Sequence, residues 1–234
     1  MPPPTPPRAA SSAPLQSKRD SLENTPEAHN ALGWLHTAHF LMSAPLLEQL
    51  PALALPEIAF VGRSNAGKST AINTLTQQTR LAFASKTPGR TQHINLFGVG
   101  KGRSDDAVLA DLPGYGYAAV PQEAKLRWQR VMANYLLTRA NLRAVVLMCD
   151  PRRGLSELDD ILLEVIRARI EQGLRLLVLL TKADKLSRAE GTRALSILRL
   201  QINGGEVRLF SALKRQGVAE AATLLWQWTR PESA

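Results

Sequence analysis

Gly62-Arg-Ser-Asn-Ala-Gly-Lys-Ser69 is the stretch that decides the reading of this chain. It has the form G-x-x-x-x-G-K-[ST], and the residues on either side supply the context such a loop needs. Upstream, 57–61 (Glu-Ile-Ala-Phe-Val) is an apolar run of strand length; downstream, 69–75 carries apolar residues at helical spacing. Gly62 and Gly67 let the backbone curl tightly, so that successive amides converge on phosphate groups with the positive end of a helix dipole behind them. In that arrangement Lys68 contacts the β- and γ-phosphates and the Ser69 hydroxyl ligates Mg²⁺. Arg63, Ser64, Asn65, Ala66 and Thr70 complete the cradle. Taken alone, the match could be a glycine turn that merely starts a helix. Three later motifs, in fixed order, remove that alternative.

Asp111-Leu-Pro-Gly114 closes the apolar run 107–111, which puts an aspartate at a strand tip where it can hold Mg²⁺ through water. Leu112 and Pro113 carry the chain to Gly114, whose amide is expected at the γ-phosphate. Asp-x-Pro-Gly is also a common turn composition, so this segment gains its meaning from the loop at 62–69. Thr181-Lys-Ala-Asp184 follows 174–180, the most apolar run in the chain and a central strand by composition. Asp184 can accept hydrogen bonds from N1 and the 2-amino group of guanine together; adenine lacks that donor pair, which turns the carboxylate into a selector. Lys182 lays its stem along the base and Ala183 links the two. After the strand 206–210, Phe210-Ser211-Ala212 places the Ala212 amide at guanine O6. These assignments make the cofactors GTP or GDP with Mg²⁺, and they exclude an ATP-using kinase because of Asp184.

Between the first two motifs lies 85–95, Ser-Lys-Thr-Pro-Gly-Arg-Thr-Gln-His-Ile-Asn, with the composition of a mobile loop. Thr91 is the candidate for a second Mg²⁺ hydroxyl, present only with the γ-phosphate, so that the loop acts as a switch. Thr87 is its rival but precedes Pro88. Gly89, Arg90, Gln92 and His93 accompany Thr91 around the phosphates, His93 with a competing reading as a strand-edge residue. Lys86 and Arg90 stand between catalysis, RNA contact and plain solvation.

Four segments carry a resemblance: His39-Phe-Leu-Met-Ser-Ala-Pro45, the loop 62–69, Ser85-Lys-Thr-Pro-Gly-Arg-Thr-Gln92 and Asp111-Leu-Pro-Gly-Tyr-Gly-Tyr117. Together they resemble the EngB (YihA/YsxC) family of bacterial P-loop GTP-binding proteins over 37–228. The resemblance implies a Ras-like fold, Mg²⁺-dependent GTP binding, slow hydrolysis, and association with the large ribosomal subunit or its precursors, with a link to cell division and septation. Tyr115 stands where Ras-type GTPases carry the glutamine that orients the attacking water, which leaves the catalytic group unassigned: Lys68, Thr91 and Gly114 support the γ-phosphate only. Asn65 resembles the asparagine with which K⁺-stimulated relatives hold a monovalent cation; its alternative is a turn-stabilising side chain.

Composition bounds the rest. The chain has 234 residues, enough for one α/β domain over 31–230 and a Pro-, Ser- and Thr-rich tail over 1–30 expected to be disordered. One cysteine, Cys149, excludes a disulfide framework and fits a reducing cytoplasm, which the resemblance implies is bacterial. No apolar run is long enough to span a membrane, and a monomer is expected. Net charge is +9, from 29 Lys plus Arg against 20 Asp plus Glu, which suits an RNA partner reached through phosphate contacts. The recurring basic positions are Lys125, Arg127, Arg130, Arg139, Arg143, Arg152, Arg153, Lys214 and Arg215. Trp128 among them has two readings, a base-stacking ring or a packing residue.

Periodicity predicts strands over 38–43, 57–61, 94–99, 107–111, 144–149, 174–180 and 206–210. Helices are predicted over 67–77, 121–138, 155–172, 188–201 and 216–229. The alternation specifies a Ras-like, mostly parallel sheet with one antiparallel strand, helices on both faces and nucleotide at the carboxyl ends of the strands. The antiparallel pairing is expected between 94–99 and 107–111. Trp226 and Trp228 on the last helix are expected to divide into one core ring and one surface ring.

Overall fold

The computed structural model describes residues 25–82, 93–102, 104–116, 122–202 and 204–230, with the side chains of 122–129 outside that description. Its core is a seven-stranded sheet: β1 (His39–Ala44), β2 (Glu57–Gly62), β3 (Ile94–Val99), β4 (Ala107–Asp111), β5 (Leu142–Cys149), β6 (Arg175–Leu180) and β7 (Glu206–Leu209). Their spatial order is β1-β3-β4-β2-β5-β6-β7. The strands β4, β2, β5, β6 and β7 pair in parallel, for example Ala59 with Ala110 on one side and with Val145 on the other. β3 is the antiparallel strand. It pairs with β4 as expected, and also with β1, where a bulge between Phe40 and Met42 shifts the register.

Strands buried on both faces read as continuous apolar runs, and here alternation divides them between two cores. Ala59 and Val61 of β2 face one side; Ile58 and Phe60 face the other. On β6, Leu176, Val178 and Leu180 join the first core, Leu177 and Leu179 the second. The first is closed by α3 (Gln122–Thr138), α4 (Glu157–Glu171) and α5 (Arg188–Gln201) through Tyr135, Leu136, Leu162, Ile166 and Leu198. The second is closed by α1 (Pro26–Leu35), α2 (Lys68–Leu75) and α6 (Val218–Thr229).

α1 moves the expected boundary at residue 30 towards the amino terminus. The Thr25 hydroxyl caps it, accepting from the Ala28 amide at 3.1 Å, and Pro26 opens it at the position where a missing N–H costs nothing. Ala28, Ala31, Trp34 and Leu35 are buried, and the Trp34 indole donates to Asp106 at 2.6 Å. The helix packs on α6, with Gln227 donating to Glu27 at 2.8 Å. A Pro- and Ser-rich stretch next to it hid a short amphipathic helix that needs a tertiary partner to form. Residues 1–24 lie outside the described part.

Other departures are local. α4 starts at Glu157, because Ser156 and Asp159 form a reciprocal capping box. α6 starts at Val218, because Gly217 caps it with φ 75°. Trp226 and Trp228 are both half-buried rather than divided, and the Arg230 guanidinium lies 3.9 Å over the Trp226 ring. Arg139, counted above among basic surface positions, is instead buried: it donates through Nε and Nη2 to both oxygens of Glu57 at 2.9 Å, while the Tyr135 hydroxyl donates to the same carboxylate. Glu57 is fully buried at the start of β2, and these three hydrogen bonds offset its desolvation.

Candidate functional site

The chain runs from β2 to one side of the sheet (β3, β4) and then to the other (β5, β6, β7), so strand order reverses about β2. A crevice opens at the carboxyl ends of strands at such a reversal. The loop 63–67 leaves β2 at this point. Gly62 sits so close to β5 that a Cβ there would lie 2.8 Å from the Met148 carbonyl oxygen, which only glycine avoids. Beyond it, the backbone takes left-handed conformations at Asn65 (φ 64°) and at Gly67, the N-cap of α2 (φ 97°). Among the described residues, the amides of Asn65, Gly67, Lys68 and Ser69 donate to nothing. Four unused donors at the mouth of a helix form an anion-binding nest.

Asp111, at the tip of β4, is 3% exposed and receives a hydrogen bond from the Lys68 ammonium. The two groups assigned to phosphate and magnesium therefore face each other across the nest. Ser69 lies in the first turn of α2 and is half-buried, with Thr70 beside it exposed. A hydroxyl and a carboxylate beside a phosphate cradle are the donor set with which Mg²⁺ is held, the remaining positions going to water and phosphate oxygen. Among the described residues no three His, Cys, Asp or Glu side chains group to hold a metal alone. The chain after Asp111 bends back onto the loop. Leu112 donates its amide to the Phe60 carbonyl at 3.1 Å and buries its side chain, while the Gly114 amide, past Pro113, has no partner among the described residues.

The second half of the crevice is stitched to the first. Thr181, 2% exposed, donates its hydroxyl to the Ala66 carbonyl at 2.6 Å, with the Cys149 carbonyl at 3.2 Å. Lys182, left-handed at φ 55°, extends its ammonium to the Asn65 carbonyl at 2.9 Å and to Asp150 at 3.1 Å. Ala183 donates its amide to the Phe210 carbonyl at 3.1 Å, which ties the β6 loop to the β7 loop. The Ser211 hydroxyl then donates to one oxygen of Asp184 at 2.6 Å, and this bond holds the carboxyl below its usual range. Asp184 is thereby kept ionised and oriented. The Ala212 amide donates to nothing among the described residues.

Gly89, Arg90, Thr91 and Gln92 lie outside the described residues. His93 is exposed, and its Nδ1 lies 3.2 Å from the Ser43 hydroxyl on β1, at the edge of the sheet. Its described contact is thus that of a strand-edge residue. Tyr115 is 3% exposed, and its hydroxyl donates to the buried Asp159 carboxylate in the first turn of α4. Burial raises its pKa far above the ordinary phenol value. Cys149 is buried at the end of β5, and burial pushes its thiol up to about 12.

Sequence reading missed Asp150, whose oxygens take Nε and Nη2 of Arg152 at 3.0 and 2.7 Å and the Lys182 ammonium at 3.1 Å. Arg152 is the first cause that holds its carboxyl well below the usual range. The available signal was position: an aspartate directly after the apolar run of β5, at the same edge as Asp111. A cleft of about 100 Å³ beside the loop is lined by Arg63, Asn65, Asp150, Arg152, Arg153 and Lys182, among others.

A phosphate nest after the first central strand, a carboxylate opposite its lysine and an oriented aspartate beyond define the class: a P-loop nucleotide-binding domain of the GTPase type. The family model described as "50S ribosome-binding GTPase" matches residues 57–182. A probable GTP-binding protein EngB of Albidiferax ferrireducens is 73% identical over 201 residues, 86% of this chain and 97% of that protein. One from Burkholderia multivorans is 49% identical over 209 residues, 86% and 94% of the two chains. The chain belongs to the EngB family of GTP-binding proteins. The fold is shared with the crystal structure of a probable GTP-binding protein EngB (TM-score 0.61, 22% identity, 74% of this chain and 98% of that one). It is shared also with Era from Aquifex aeolicus (TM-score 0.60, 18% identity, 77% and 59%).

Proposed function

We propose that this chain is a Mg²⁺-dependent GTP-binding switch with slow GTPase activity that acts, in the cytoplasm and as a monomer, on the large ribosomal subunit or its precursors. The observation that carries the nucleotide reading is the Ser211–Asp184 bond at 2.6 Å. It leaves a fixed, ionised carboxylate facing the far end of the crevice, with Thr181 setting its distance from the phosphate nest. Guanine presents two donors to that carboxylate, and the Ala212 amide meets O6.

The unused amides of Asn65, Gly67, Lys68 and Ser69 bind the β-phosphate, and Lys68 leaves Asp111 for the β- and γ-oxygens. Ser69 and, through water, Asp111 would hold Mg²⁺, with Thr91 as the further hydroxyl expected in the GTP state; the metal would supply charge neutralisation at the phosphates. Slow turnover follows from Tyr115, whose hydroxyl is committed to Asp159 and does not orient water. Asn65, exposed and left-handed beside the nest, supports K⁺ as an activating ion, which equal rates in Na⁺ and K⁺ would exclude.

The ribosomal part of the reading is supported by family membership and by charge. Arg143, Arg153, Lys214 and Arg215 are exposed, and Arg152 stands half in solvent, whereas Arg139 drops out of the basic surface. The same family membership supports a link to cell division. Co-sedimentation with 50S, 30S and precursor particles, with GDP or a non-hydrolysable GTP analogue bound, tests it. Selective binding to 50S or its precursors in the GTP state is expected. Equal, salt-sensitive binding to every particle would mean that the charge alone is being read.

A further inference from the structure

Two lysines border the nucleotide crevice, and an aspartate from a strand beside β2 receives each of them. Lys68 donates to Asp111, the last residue of β4, and Lys182 donates to Asp150, directly after β5. Asp111 has a place in the metal reading above, whereas Asp150 has none. Yet Asp150 is 7% exposed, and a carboxylate is buried at a cost that its partners must offset. Arg152 gives Oδ1 its backbone amide at 3.2 Å and its Nε at 3.0 Å, and gives Oδ2 its Nη2 at 2.7 Å. Three bonds from one residue fix the plane of the carboxylate. The Lys182 ammonium therefore meets an acceptor that cannot turn away, at 3.1 Å, and donates also to the Asn65 carbonyl at 2.9 Å. The stem is thus fixed at its tip by two acceptors and at its root by the left-handed backbone (φ 55°). With 38% of the Lys182 side chain exposed, these bonds confine it where packing does not.

We propose that Asp150 is a positioning residue for the guanine base: oriented by Arg152, it tethers the Lys182 ammonium beside the Asn65 carbonyl, so that the lysine stem forms one face of the base pocket before nucleotide arrives. This rests on the reading above that guanine meets Asp184 with Lys182 along its ring. Asp150 touches no nucleotide atom and acts through Lys182. A flexible four-carbon stem loses rotamer freedom when it is ordered on binding, and a stem already ordered avoids that cost. The stem packs on the ring face and does not read its edge. Asp150 therefore governs how tightly the nucleotide is held, while the choice of base stays with Asp184.

The test uses the full chain and compares affinities for GDP and inosine diphosphate, which lacks only the 2-amino group that Asp184 reads. Asp150→Asn keeps the shape but puts a donor where one acceptor oxygen stood, so it cannot serve Arg152 and Lys182 together. Both affinities are expected to fall about tenfold, because the ring face is common to the two ligands. In GTP turnover KM is expected to rise about tenfold with kcat within about twofold, since a base contact is equal in ground and transition states. Unchanged affinities overturn the proposal. A shifted GDP-to-inosine ratio or a matching fall in kcat also overturns it, because a general disturbance of the loops would produce either. Lys182→Met tests the route: adding Asp150→Asn to it is expected to cost less than about twofold, and a further tenfold loss refutes action through the lysine. Asp184→Ala separates the proposal from the reading beneath it. If that variant keeps the GDP-to-inosine ratio, the base-pocket reading fails and takes the proposal with it. If the ratio collapses while Asp150→Asn binds normally, the pocket stands and Asp150 has no positioning role. Should Asp150→Asn not fold, NMR relaxation of the Lys182 side chain in the nucleotide-free parent decides: an ordered stem is expected, and an order parameter below about 0.6 refutes a preformed face.

Discussion

Replacing Thr181 by valine removes one oxygen from the interior and tests whether the two halves of the nucleotide crevice are held as a unit. The side chain is 2% exposed and its hydroxyl donates to the Ala66 carbonyl at 2.6 Å. Cys149 keeps a partner after the change, because the Thr181 amide also donates to its carbonyl at 2.8 Å. Ala66 does not: its carbonyl has no other donor among the described residues, and the residue is 5% exposed. The loss is therefore one net hydrogen bond, about 1 kcal/mol, plus the cost of a buried carbonyl left unpaired, about 1–3 kcal/mol. Valine fills the same space, so no cavity contributes. Urea unfolding of the nucleotide-free protein is expected to show about 2–4 kcal/mol of destabilisation with an unchanged m-value. GDP affinity should fall about tenfold or more as the loop carrying Ala66 is released from the Thr181–Asp184 segment. Thr181→Ser, which retains the donor, should stay within about 1 kcal/mol of the parent. The reasoning fails if valine unfolds within about 0.5 kcal/mol of threonine and binds GDP normally, or if serine is as damaging as valine.

Asp184→Ala should reduce the preference for GTP over ATP about a hundredfold or more, through loss of two charge-assisted hydrogen bonds, read by competition against labelled GDP; an unchanged ratio would remove Asp184 as the base selector. Arg139→Ala leaves the Glu57 carboxylate buried without its bidentate partner and should cost about 3–5 kcal/mol in urea unfolding, with nucleotide selectivity intact. Asp150 has a folded-state pKa held below the ordinary carboxylate value, so its contribution is present above the unfolded pKa and is lost as pH falls through the folded one. The stability advantage over Asp150→Asn should thus be constant from pH 8 to about 5 and shrink below about pH 4, where the unfolded chain takes up its proton first. An advantage that persists unchanged in acid would show that the Arg152 and Lys182 contacts do not depend on charge.

Much of this protein was legible because its signals are local. Strand, glycine loop and helix at 57–75 are adjacent in the chain, and the carboxyl-end aspartates 111 and 184 each follow an apolar run that can only be a buried strand. Double-sided burial makes such runs uniform, so periodicity sufficed to place five central strands and the mostly parallel sheet. The antiparallel strand was readable from its short turn to β4, while its second pairing, with β1, joins residues about fifty to sixty positions apart and leaves no local trace. The same limit hid α1, whose apolar face has meaning only against α6. It also hid Arg139, which reads as surface charge until Glu57 is brought beneath it.

Tertiary structure alone decided how the motifs work together. Which residue holds Lys68 without nucleotide, what joins Thr181 to the phosphate loop, and where the Tyr115 hydroxyl points are contacts across 43, 115 and 44 positions of chain. Sequence determined the kinds of groups present and their order, since backbone conformation and burial pattern are set by near neighbours. Packing determined which of those groups meet, because a buried donor must find an acceptor wherever the fold brings one within reach.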